Sequence, residues 1–286
     1  MSRVLAPVLA GVVGLVVLVG VGAGLAIPAA ERAIVAAVEW LNDEPVEHAD
    51  TSGIPTEPDE DFGVVQVYDV LADGTLEPAA SGVAAEVWQL FVRMVGADVA
   101  GESIIQYRAG DAPASDTLAY VYQDSDPRYW TLAVNLAVAD DPQLLVATLV
   151  HEYAHIVSFD EDEFDAASGS CATILLVEGC AARASYLHEF YAQFWAGYPD
   201  AVDLENLDAD AAWQFYERYD DHFVSDYAAT NLGEDFAESF MTYVIEDAFD
   251  GPTVAAQKLR FFERYPELVA LREHNRDELG VELGLR

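Results

Sequence analysis

The segment from Asp141 to Val157 constrains this chain more than any other, because its spacing fits a helix with two unlike faces. Asp141 followed by Pro142 is a helix start: aspartate caps free backbone N–H groups, and proline suits the first helical position. Val146, Leu149, Val150, Tyr153 and Val157 then recur at helical spacing, an apolar stripe that needs a core to lie against. His151 and His155 stand one turn apart, on a face turned about 100 degrees from that stripe, and Glu152 follows the first of them.

Two imidazoles at this spacing can share one Zn2+ at about 2.0–2.1 Å each, with Glu152 placed to take a proton from a water at the metal. In a helix otherwise so apolar, a polar face needs a reason, and a metal site supplies one where a solvated helix face does not. A catalytic zinc needs a third protein ligand and an open fourth position. Two segments compete for that role. One is Leu175-Leu176-Val177-Glu178-Gly179, which would offer Glu178. The other runs from Tyr227 to Phe240, where Gly233 is expected to break the chain before a helix that opens with acidic residues. Glu234 and Glu238 share a face of that helix, so one can ligate the metal while the other supports a ligand from behind.

The pattern Tyr227-x6-Glu234-x-Phe236-Ala237-Glu238-x-Phe240, taken with the His151 helix, resembles the lethal-factor and Pro-Pro endopeptidase family of zinc metallopeptidases. It is similar more broadly to gluzincin-type bacterial zinc-binding peptidases, including the stretches Gly179-Cys180, Ser185-Tyr186-Leu187 and Phe194-Trp195. The specific resemblance covers residues 142–157 and 224–244 only. It implies a zincin-like domain holding one Zn2+ on His151, His155 and Glu234, and it favours Glu234 over Glu178. It also implies that Glu152 acts as general base, that Tyr227 donates a hydrogen bond to the tetrahedral intermediate, and that Glu238 supports a ligand. The expected substrate is a peptide or protein lying beside an edge strand, for which Tyr129–Val138 is the candidate, with Tyr129 and Asn135 lining the cleft. The rival reading is a zinc-containing binding or scaffold domain that catalyses nothing. His188 and His222 read as ordinary surface or core histidines, and Asp160–Glu163 as a solvated acidic loop.

The remaining features bound the setting. Thirteen basic residues stand against 51 acidic ones, a net charge of −38, with lysine present only at Lys258. Such a field repels phosphate backbones and argues against a nucleic-acid partner. The chain carries no charge from Val4 to Ala30, and a bilayer-spanning helix needs about 20 apolar residues. Arg3 on one side and an acidic chain on the other orient the N-terminus inward, so the rest is expected outside the cytoplasm, anchored or, after cleavage of a signal, secreted. Cys171 and Cys180 suit a disulfide in that compartment. The expected organisation is an anchor helix and its extension over 1–41, a flexible acidic linker over 42–61 and the zinc peptidase domain over 62–286. Strands are expected early and helices late, an α+β class: a small mixed sheet, then a mostly helical half. Among the helices, Cys180–Trp195 and Glu234–Phe249 are read from apolar spacing.

Overall fold

The computed structural model describes residues 53–165 and 171–285. The anchor helix and most of the linker expected from the sequence lie outside them. Among the described residues no helix is long and apolar enough to cross a membrane.

A mixed sheet comes first. Its strands are β1 (Thr56–Asp59), β2 (Gly63–Val70), β3 (Leu76–Glu77), β4 (Ile104–Gly110), β5 (Ala119–Gln123) and β6 (Trp130–Asn135). They lie in the order β1-β2-β4-β6-β5, with β3 beside the far end of β2. Pairing is antiparallel except between β4 and β6. Helix α1 (Gly82–Val95) follows β3 and buries Val87, Trp88, Phe91 and Met94 against one face of the sheet. There Trp88 packs on Tyr107 and Phe91 meets Tyr153 edge-on. The short helix α2 (Ala97–Ser103) leads into β4. The opposite face carries a smaller cluster of Phe62, Val65, Val67 and Ala133.

The second half is mostly helical: α3 (Pro142–Ser158), α4 (Tyr186–Phe190), α5 (Ala209–Arg218), α6 (Leu232–Ile245), α7 (Val254–Phe261) and α8 (Pro266–Glu278). A small antiparallel sheet of β7 (Phe164–Asp165), β8 (Leu175–Leu176) and β9 (Gly179–Ala181) lies between α3 and α4, with Cys171 joined to Cys180 as a disulfide. Asp141 caps α3 by accepting from the Gln143 and Leu144 amides, as its sequence indicates. At the far end of α6, Arg272 and Arg276 of α8 donate to the carbonyls of Tyr243, Val244, Ile245 and Glu246. Cations at a helix C-terminus satisfy carbonyls that the helix itself leaves open. Helix α6 is thereby held at the end away from its first turn.

A mixed sheet with a helical C-terminal half agrees with the α+β expectation, and the differences from the sequence reading are local. The sheet begins before Phe62: residues 56–59, read as linker, form β1. Their Asp, Glu and Pro content suits an edge strand, where a missing N–H and exposed charges are tolerated. The helix expected over Cys180–Trp195 starts only at Tyr186, capped by Ser185. Gly179 has φ +131°, a conformation closed to most side chains, and Cys180 is paired in a strand with Asp165 and Leu175. The expected substrate edge is also misplaced. Strand β6 is central and buried along its whole length, because β5 covers its outer side. Asn135 is no cleft residue: its amide is spent on the backbone of Ala112, Thr117 and Ala137. Among the described residues, the free edge next to α3 is β5.

Candidate metal centre

Helix α3 is buried on more than its apolar stripe. Val146, Leu149 and Val150 lie in the core, and so do His151, Glu152 and His155. Its second face meets the first turn of α6. Asn231 ends the preceding segment and caps α6 by accepting from the Glu234 amide at 2.9 Å. Gly233 does not break the chain, as its sequence position suggested. It sits inside the first helical turn, where an added Cβ would stand 3.2 Å from the Phe159 ring at the end of α3. The missing side chain lets the two helix ends close on each other.

This approach brings three donor side chains together. The Nε2 atoms of His151 and His155 are 3.0 Å apart, and Glu234 Oε2 lies 3.2 Å from the first and 3.6 Å from the second. Among the described residues, His151, His155 and Glu234 form the group of ligand types whose atoms all fall within 4.8 Å of one another. Donors bonded at about 2.0–2.1 Å to one tetrahedral ion sit about 3.3–3.4 Å from one another, so the observed separations bracket what an ion would need. Glu234 Oε2 is buried with no hydrogen-bond partner, although it faces both imidazoles. A buried acceptor left open in this way fits a metal ligand better than a structural carboxylate.

The electrostatics agree. Burial disfavours the Glu234 charge, but His155 and His151 outweigh it and hold the carboxyl down at about 2. Burial also pushes His155 below the usual imidazole range, which keeps its lone pair available. His151 goes the other way: burial opposes its charge, yet the Glu234 and Glu238 carboxylates against its two ring nitrogens raise it well above that range. Carboxylates converging on one imidazole favour positive charge there, which a proton on His151 or a metal ion can supply. Among the described residues the ion-pair partners of Glu234 and Glu238 are these histidines and no lysine or arginine. This buried group can hold a metal ion.

The surrounding residues are arranged around the group. Glu238 Oε1 lies 2.9 Å from His151 Nδ1, and its other oxygen accepts from Ser225 Oγ at 2.6 Å. That clamp turns the His151 ring so that Nε2 faces Glu234. Tyr227, in a short turn before α6, has its ring 6.1 Å from that of His151 and donates its hydroxyl to Glu234. Burial, then the charges of Glu234 and Glu152, push this phenol far above its usual range, so it stays protonated. Glu152 is fully buried, and no side chain closes a hydrogen bond to it among the described residues. Burial pushes it up to about 8. Beyond it runs the edge strand β5, whose Val121 amide leans on the same carboxyl.

Glu178 lies outside the group. It occupies the tight turn between β8 and β9, next to Glu205, and burial raises it to about 7. Ser225 is the residue that sequence reading passed over. A lone serine in a loop has no period, and only its place two residues before Tyr227 points to the site. The chain matches no family model, no curated protein and no solved structure.

Proposed function

We propose that this chain is a zinc-dependent endopeptidase of the His-Glu-x-x-His type, with a zincin-like domain acting outside the cytoplasm. The observation that carries this reading is Glu152: a buried carboxyl with no side-chain partner, next to a three-donor group and beneath the edge strand β5. A carboxyl buried at such a cost, and pushed toward neutral pH, suits proton transfer better than structure. His151, His155 and Glu234 would hold the ion. Zinc bound there supplies Lewis acidity toward a carbonyl and makes a water easier to deprotonate.

The chain's own residues do the rest. A peptide adds to β5 as a further strand, which presents its carbonyls along the edge beside Glu152. Glu152 takes the proton of the attacking water and returns it to the leaving amine. Tyr227, kept protonated by its surroundings, donates to the oxygen that gains charge. Glu238 and Ser225 keep the His151 ring in one orientation through the cycle. The disulfide between Cys171 and Cys180 is compatible with an extracytoplasmic setting.

The test is cleavage of a peptide library by the purified full chain, with and without chelator. Cleavage that the chelator abolishes, and that Glu152→Gln lowers by about 10^2–10^4-fold, supports the reading. A chain that binds zinc but cleaves nothing, or cleaves equally well as Glu152→Gln, leaves the scaffold reading in its place.

A further inference from the structure

The residue after the ligand Glu234 is also a buried acid, and it faces away from the metal group. Asp235 is fully buried and lies 2.6 Å from Nζ of Lys258, the chain's only lysine, itself fully buried on α7. Trp195 Nε1 donates to the same carboxylate at 2.7 Å, and Ser239 Oγ stands 3.4 Å from its other oxygen. Lys258 Nζ also sits 3.8 Å over the ring of Phe223. A buried ion pair is weak evidence for stability, since apolar residues of similar size often do as well. A chain with 51 acidic residues and one lysine that buries that lysine here calls for a specific role.

The connections supply one. Through Asp235, Lys258 bears on the first turn of α6 and hence on Glu234, the adjoining residue. Through Phe223, it bears on the loop that holds Ser225 two residues later, and Ser225 donates to Glu238, which meets His151. Both arms end on the metal group. We infer that Lys258 and Asp235 are positioning residues that set the rotation of α6 and the seat of the 223–225 loop, so that Glu234 and Glu238 meet the histidines together. This inference rests on the metal-site reading above. The bond from the Trp195 indole N–H to Asp235, with the Lys258 charge held beside it, fixes the helix about its own axis, which an apolar side chain of similar volume would not do.

The test is zinc affinity, measured in the full chain by competition with a chelator of known strength, at a temperature where circular dichroism shows each variant folded. Lys258→Met is expected to weaken zinc binding by about 10–100-fold, the range for residues that orient a metal ligand from behind. The double variant Lys258→Met with Asp235→Leu removes the uncompensated charge. It is expected to regain thermal stability yet still bind zinc at least about tenfold more weakly. Val65→Ala, which opens the core on the far face of the sheet, is expected to lower stability and leave zinc affinity unchanged. Zinc affinity within about twofold of wild type in either folded variant overturns the inference. Collapse of the double variant as well makes the pair a requirement of the fold and also overturns it. Wild-type chain that binds no zinc refutes the parent reading instead, and is measured first.

Discussion

Helix α6 buries carboxylates on two sides, and the two sides are completed differently. On one, Asp235 is closed off: a lysine, an indole N–H and a serine hydroxyl surround it. On the other, Glu234 faces two imidazoles and keeps an oxygen without a hydrogen bond. Both positions exclude water, so neither state comes from exposure. The difference shows what a binding group needs beside a structural one. Under the proposed function, the closed side gives the helix its orientation and the open side turns its carboxylate toward the two imidazoles. A different contrast, one of charge, separates Glu234 from Glu152 on α3. The first is held down at about 2 by the histidines, while burial pushes the second up to about 8.

Four substitutions can break or sharpen this contrast. The largest effect belongs to the closed side: Asp235→Asn leaves the Lys258 charge uncompensated in the core and should cost about 3–5 kcal/mol, read from urea unfolding. On the open side, Glu234→Ala should leave the fold standing and weaken zinc binding by about 10^2–10^3-fold. That is one ligand's share of the roughly 10–16 kcal/mol of a whole zinc site. Glu178→Ala should leave zinc affinity unchanged in the same titration, and the reverse pattern would move the ligand role to the β8–β9 turn. Ser225→Ala removes the donor that steadies Glu238 and should weaken zinc binding by about tenfold, with stability little altered.

The smallest effect is a pH dependence at Glu178. Its carboxyl is raised to about 7 by burial, so the folded state holds its proton more tightly than the unfolded chain does. Its contribution is fully present below the ordinary carboxyl range and is lost as pH rises through about 7. Glu178→Gln should therefore stabilise the protein at pH 8, by on the order of 1–2 kcal/mol after allowance for solvent screening, and change little at pH 4. Equal effects at both pH values would place this carboxyl in a more solvated setting than its turn suggests.

Much of the fold could be read along the chain where signals are local. Asp141 and Pro142 announce α3, and the 3.6-residue spacing of Val87, Leu90, Phe91 and Met94 announces α1. The β8–β9 hairpin was missed because its apolar residues continue smoothly into α4, and only Gly179 and the cysteine pairing separate them. Strand β1 was missed for the opposite reason: its residues are polar, and it is ordered by its backbone pairing with β2. At the site, the two histidines and Glu234 were legible because helical spacing and an acidic helix start are features of sequence. Which strand forms the free edge was not, since strand order is decided by pairing at a distance. The Asp235–Lys258 pair was equally hidden. The sequence shows a solitary lysine, and nothing local joins it to an aspartate on another helix.

The most direct test is anomalous diffraction from crystals of the full chain loaded with zinc. The account predicts one strong zinc peak, with Nε2 of His151, Nε2 of His155 and the Glu234 carboxylate at about 2.0–2.2 Å and Glu152 beside an open position. A peak bound by Glu178 in place of Glu234, or no zinc between the two imidazoles, would contradict it.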